Sequence, residues 1–253
     1  MNYDIQRASF WKRIAAWFFD LILVITLAVG CGAVLSSLLG YNNYNQTLET
    51  AYSKYETQYG IVFDISRQEY EAMTDSERET YDTAYAALIA DKDAMKAYNM
   101  VLNLSLVITS CGILLAMLIW ELFIPLFLKN GQTLGKKIFG LCLVRNDCVK
   151  LNNLQLFARA VLGKFAIETM IPVYVLMMLF WGSAGLIGTA LLFILVVAQV
   201  LCLMISRNNC AIHDFLAGTV VVDLASQTIF RSTEDLIAHQ KKVAAERAAR
   251  QPY

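Results

Sequence analysis

Hydrophobic positions in this chain fall in long unbroken blocks instead of alternating with polar ones. Four blocks stand out, at residues 14–39, 100–128, 165–181 and 184–205. A helix needs about 20 apolar residues to cross roughly 30 Å of hydrocarbon, so each block predicts a membrane span. The last two are joined by Trp181-Gly182-Ser183-Ala184-Gly185, which predicts a tight turn between antiparallel helices. Between the first two blocks the pattern changes. Residues 44–59 carry apolar or aromatic side chains at helical spacing, and Ser66-Arg67-Gln68-Glu69 and Thr74-Asp75-Ser76-Glu77 both fit a capping box. The second box opens a helix expected to run unbroken into the second span, and Gly60-Ile61-Val62-Phe63-Asp64 reads as a short extended stretch. Further on, Leu154, Phe157, Ala158, Val161 and Leu162 form an apolar stripe beside Arg159 and Lys164, predicting an amphipathic helix that leads into the third span.

Composition agrees with a membrane protein: 57% of residues are hydrophobic, only 17% are charged, and there are three prolines in 253 residues. Net charge is zero, but its distribution is uneven. Residues 1–13 hold three Lys/Arg against one acid and residues 129–164 hold seven against one, whereas residues 40–98 hold five against eleven. By the positive-inside rule the first two segments and the tail are cytoplasmic and the acidic segment is outside. The expected fold is therefore an all-α membrane protein with four transmembrane helices, cytoplasmic N- and C-termini and a small helical extracytoplasmic insertion. Its parts are a cytoplasmic N-terminus and first span (1–39), an acidic, Tyr-rich insertion (40–99), a second span (100–128), a basic cytoplasmic and interfacial loop (129–164), a two-span hairpin (165–205) and a cytoplasmic tail (206–253). The cell membrane is the expected location.

Arg7, Lys12 and Arg13 precede the first block, and Ala28-Val29-Gly30-Cys31 loosely resembles a lipoprotein cleavage box. Asp20 within the block, and its continuation past Cys31, favour an uncleaved helix. None of the six cysteines (Cys31, Cys111, Cys142, Cys148, Cys202, Cys210) falls in the insertion, which excludes a disulfide-stapled ectodomain.

Each span carries a polar residue near its cytoplasmic end. Asp20 lies about 10 Å beyond Arg13, Glu121 about 12 Å before Lys129, Glu168 about 6 Å beyond Lys164 and Gln199 about 12 Å before Arg207. Antiparallel helices would gather the four in one inner-leaflet layer. A charge in hydrocarbon costs roughly 2.5 to 3.5 kcal/mol on insertion scales, so such residues face a partner or a wet cavity. Two carboxylates sharing a dry site would not both ionise, and a site that trades the retained proton for a cation is the minimal chemistry of an exchanger. Pro125 and Pro172, each four residues beyond a carboxylate, would free backbone carbonyls as further oxygen ligands.

The segment from Gly131 to Gly140 shares only glycine and lysine with a phosphate loop. It reads better as interfacial, with Ile138, Phe139, Leu141, Leu143 and Val144 dipping into the headgroup boundary while Lys136, Lys137 and Arg145 meet anionic lipid. The chain has no nucleophile elbow and no metal-ligand motif, and His213 and His239 stand apart, so neither an enzyme nor a cofactor is expected, and no nucleic acid partner is implied.

Three blocks carry a resemblance. Lys12-Arg13-Ile14-Ala15-Ala16-Trp17-Phe18-Phe19-Asp20, Gly131-Gln132-Thr133-Leu134-Gly135-Lys136 and His213-Asp214-Phe215-Leu216-Ala217-Gly218-Thr219-Val220-Val221 resemble the signature blocks of the RDD family. These are small, mainly bacterial integral membrane proteins named for one arginine and two aspartates, which map here to Arg13, Asp20 and Asp214. The resemblance covers most of the chain apart from the insertion and the final tail, and implies transport, with cation/proton exchange suggested for some members. From position alone, Arg13 and Asp214 both fall at the cytoplasmic interface and are expected to pair, with His213 or Arg207 adjoining. Four spans are few for a transporter, so a homo-oligomer would be needed to complete a pathway. The competing expectation is a non-transporting accessory or sensor protein, acting through a protein partner of the insertion.

Overall fold

The computed structural model describes residues 5, 8–128, 131–183, 185–206 and 210–250. It divides into two compact units, Gly30–Gly112 and Met1–Val29 with Ile113–Tyr253, and the divisions fall within two long helices. Four helices are long and apolar enough to cross a membrane: Phe10–Leu38, Lys92–Phe127, Asn153–Phe180 and Gly185–Ile205.

The first of these is α1, Phe10–Leu38. In the Gly30–Gly112 unit, Gly40 takes a left-handed conformation (φ 67°) that ends one helical path and starts α2, Tyr41–Tyr59, which Gly60 closes in the same way. Both capping boxes form. Ser66 with Glu69 opens α3, Arg67–Ala72, and Thr74 with Glu77 opens α4, Asp75–Ala90. The unit's core is Ala51, Tyr55, Leu88 and Ala94, overlaid by Tyr52, Tyr59, Phe63 and Ala87. The helix opened at Thr74 does not run on into the second span. Asp91 breaks it: its backbone is extended, and its Oδ1 accepts from the amides of Asp93 and Ala94 to start α5, Lys92–Leu118.

In the other unit, α5 gives way to a π-helical turn at Ile119–Phe123 and then to α6, Ile124–Phe127. A short α7, Leu134–Ile138, follows, then β1, Leu141–Arg145. The third long helix opens earlier than its apolar block, at a capping box between Asn152 and Gln155. It comprises α8 (Asn153–Phe157), a long π-helical stretch (Ala158–Met170) and α9 (Ile171–Phe180). The fourth is α10, Gly185–Ile205, followed by α11 (Ile212–Ala217), β2 (Thr219–Asp223) and α12 (Thr233–Arg250). Both π segments end just before a proline, Pro125 and Pro172. A proline has no N–H to donate and its ring crowds the carbonyl four residues earlier. A widened turn relieves that crowding, which accounts for where these two segments lie.

The fold is thus not wholly α-helical. β1 and β2 pair antiparallel, with Leu143 opposite Val221 and Cys142 opposite Val222. Both faces are covered, one by Ala8 and Ala16 and the other by Cys210 and Ile5, so Leu141, Cys142, Leu143 and Val144 are core residues and not headgroup contacts. β-Branched residues fill β2, and hydrophobic burial on both faces suits such a run. The tail's helix, α12, is tied down by Leu236, which packs with Cys148, Val149 and Phe230.

Candidate functional site: a buried network of charges

Asp20, on α1, is 7% exposed and fully engaged. Its Oδ1 accepts from Trp120 Nε1 (3.2 Å) and from the Gly135 amide (2.8 Å), and its Oδ2 accepts from Thr133 Oγ1 (2.5 Å). The glycine is required for this approach, since a Cβ at Gly135 would lie 2.3 Å from the Ala16 carbonyl oxygen. Thr133 is the N-cap of α7, and its Oγ1 also accepts from Lys136 Nζ at 3.3 Å. Asp20 therefore fastens the Gly131–Lys136 motif onto α1.

A second group of charges is linked by Arg159, 2% exposed. Its Nε donates to Asp214 Oδ1 at 2.9 Å, and its Nη1 lies 3.9 Å from Glu121 Oε2. Glu121 Oε1 takes a hydrogen bond from Lys164 Nζ, whereas Oε2 is buried with no hydrogen-bond partner. Asp214 also accepts from Thr219 Oγ1 at 3.2 Å, and Arg13 Nη2 is 3.6 Å from its Oδ2. His213 stands between two carboxylates, with Nδ1 2.7 Å from Glu168 Oε1 and Nε2 3.6 Å from Asp214 Oδ1.

The π-helical stretch makes this arrangement possible. On an α-helix, at about 100° per residue, Arg159 and Glu168 would face opposite ways. An i→i+5 ladder has a wider turn, so a step of five to Lys164 and a further step of four to Glu168 return to nearly the same face. Between them, Gly163 lets α11 come close, since a Cβ there would sit 2.5 Å from His213 Cβ.

The structure brings Glu121, Glu168, Arg13, His213 and Asp214 into one network. Asp20 has its own hydrogen-bond partners and meets the network through Lys136, whose charge interacts with both Asp20 and Glu121. Gln199 borders the network, its Oε1 accepting from the Ile212 amide at 3.2 Å beside the His213 amide that donates to Glu168 Oε1 at 3.4 Å. Arg207 lies outside the described residues. Among the described residues the carboxylates do not pair with one another to share a proton, because each meets its own donors. Arg159 and Lys164 are also not an interfacial face, since both reach inward. An α-helical period sets Arg159 opposite Glu168 and hides its role, while the partners of Thr133 and Lys136 lie on the distant α1 and the π-helical turn after α5. The five-then-four spacing of Arg159, Lys164 and Glu168 ahead of Pro172 was the available signal.

Outside the four long helices, burial alone would push the Asp214 carboxyl up, but Arg159, His213 and Arg13 outweigh it and hold the group well below the usual carboxylate range. Burial pushes the His213 imidazole down, against the pull of Asp214. Lys136, half-buried, is pushed down to about 7, chiefly by burial, with Glu121 and Asp20 opposing and Lys164 and Arg159 assisting. An unfolded lysine keeps its proton to about pH 10.4. From pH 7 to about 10 the unfolded chain therefore binds this proton more tightly, and stability contributed by Lys136 rises with pH over that window. Thermal unfolding across this range should show the rise in the wild type and a flatter profile in Lys136→Met. An equally steep rise in both would contradict the assignment.

Among the described residues no group of three or more His, Cys, Asp or Glu is placed to hold a metal ion. The model of the RDD family matches residues 7–218, most of the chain. No curated protein and no solved structure matches it.

Proposed function

Because the chain belongs to the RDD family of membrane proteins, we propose that it exchanges a cation or small cationic solute for protons, with Glu121 as the carboxylate that receives the cation. The observation that carries this reading is Oε2 of Glu121, buried without a hydrogen-bond partner on a helix apolar enough to cross a membrane, with Arg159 no nearer than 3.9 Å. A buried carboxylate oxygen without a donor is costly and marks a place for a missing partner. The surrounding charges supply the coupling. Asp20, Glu121, Glu168 and Asp214 are matched by Arg13, Lys136, Arg159 and Lys164, with the neutral-leaning His213 at the edge. A balanced buried network admits a cation cheaply only if a proton leaves it, because an uncompensated charge in low dielectric is expensive, and Lys136, pushed down to about 7, is the ammonium that releases it. Pro125 assists, since it cannot donate to the carbonyls four or five residues earlier, which are then available as oxygen ligands.

In this reading the network lies toward the cytoplasm, as the basic 129–164 segment argues, and the acidic insertion lies outside a cell or inner membrane. Exposed Lys137 and Lys150 at the network end meet anionic headgroups. Reconstituted vesicles with an entrapped pH-sensitive dye test the reading. Sodium or potassium added to wild type should trigger proton movement, and Glu121→Gln, shown to be folded by its thermal unfolding, should abolish it. No signal from well-inserted wild type, or an undiminished one from Glu121→Gln, would overturn it.

A further inference from the structure

The Gly30–Gly112 unit carries a surface that the buried network does not use. Phe63 sits at its centre, edge-on to Tyr52 (5.6 Å between ring centroids) and Tyr81 (5.8 Å) and tilted against Tyr85 at 6.5 Å. Tyr52 is half-buried, its phenol pushed up by burial first and then by the neighbouring Tyr98 and Tyr85, so three helices contribute to one aromatic cluster. Beyond this core, apolar side chains remain uncovered. Val62 is 58% exposed, Tyr85 51%, Ile89 46% and Tyr98 40%. Tyr85 and Ile89 are one helical turn apart on α4 and share a face.

Charge specifies what covers this face. The unit holds eleven Asp/Glu against five Lys/Arg. Asp75, Glu79 and Asp82 run along α4 as an exposed stripe, three or four residues apart, ending one turn before Tyr85. A second copy of the chain would bring the same negative charge against itself, and anionic headgroups would be repelled in the same way. Aromatic side chains beside carboxylates favour a cationic visitor, through both ion pairing and the ring faces. Tyrosines in a partly apolar patch with a polar rim are the usual anchors of protein recognition.

We propose that Val62, Tyr85, Ile89 and Tyr98, with the acidic stripe of α4, form a docking surface for a polypeptide segment that presents lysine or arginine beside an apolar anchor. This surface is independent of the exchange reading. The test uses the full chain in nanodiscs of zwitterionic lipid and fluorescence anisotropy of labelled synthetic peptides. One peptide alternates lysine with leucine and tryptophan, one is its glutamate analogue, and one contains lysine with serine. The first should bind, and the other two should bind at least about tenfold more weakly. Tyr85→Ser with Ile89→Ser should weaken the first by about the same factor, as should Glu79→Lys with Asp75→Lys. Val62→Ser, outside any helix, gives a second apolar variant should the Tyr85 pair disturb the fold. Binding unchanged in the apolar variants, equal binding of the lysine-serine peptide, or equal binding to empty nanodiscs would overturn the proposal, the last by assigning the peptide to the membrane.

Discussion

Gly163→Ala should destabilise the protein by about 3 kcal/mol or more, a large effect for one added methyl group. The new Cβ would lie 2.5 Å from His213 Cβ and 2.7 Å from His213 Cα. Neither atom belongs to the free end of a flexible side chain, so α11 or the π-helical stretch would have to move. Movement there pulls His213 from Glu168 and Asp214 from Arg159 together. Gly135→Ala should behave alike, because its Cβ would meet the Ala16 carbonyl oxygen at 2.3 Å and Asp20 Cγ at 2.9 Å. Gly30→Ala is the control. It is helical with nothing within 4 Å, so alanine should gain about 0.5 to 1 kcal/mol from reduced chain entropy. Denaturant unfolding in one detergent checks all three. A Gly163→Ala protein as stable as wild type would contradict the close packing of α11.

Arg159→Met should cost about 3 to 5 kcal/mol, because it leaves Asp214 buried without its closest cation and removes the guanidinium 3.9 Å from Glu121 Oε2. The pH dependence should change sign with it. In wild type the folded Asp214 carboxyl lies below its unfolded range, so its stabilisation is present above about pH 4 and is lost as pH falls further. Burial is the largest single influence on Asp214, and without Arg159 it outweighs His213 and Arg13 and raises that carboxyl. The variant should then be relatively more stable in acid and lose stability as pH rises through the new folded value. Adding Asp214→Leu should recover part of the loss, since removing both partners of a buried pair costs less than removing one. Unfolding midpoints of the two single variants and the double variant between about pH 4 and 8 decide the matter. Additive losses in the double variant would show that the pair is not a unit.

The sequence made the four long helices readable because hydropathy is a local property summed over many residues. Arg13 and Asp214 were also legible together, since each lies at the end of an apolar block where the chain leaves the same side. Arg159 and Lys164 were not, for a geometric reason. Helical phase at 3.6 residues per turn sets Arg159 apart from Lys164 and Glu168, and only the π ladder before Pro172 realigns it with them. Asp20 was located, but its partners were hidden: Thr133 and Gly135 approach it from more than a hundred residues away, through a backbone amide that no side-chain pattern announces. The β1–β2 pair was hidden by separation too. Leu141–Arg145 and Thr219–Asp223 are each five residues long and uniformly apolar at their centres, which reads equally as membrane-facing chain until the partner strand is known.

Charge balance around Glu121 ties cation entry to proton release, so exchange stoichiometry is the direct test. Proteoliposomes should be loaded with a pH-sensitive dye, and radiolabelled sodium or potassium uptake followed together with proton release at several imposed membrane potentials. One proton should be released for each cation taken up, at a rate little affected by potential, and both fluxes should be lost in Glu121→Gln. Cation uptake without proton release, or a rate that follows the imposed potential steeply, would contradict that coupling.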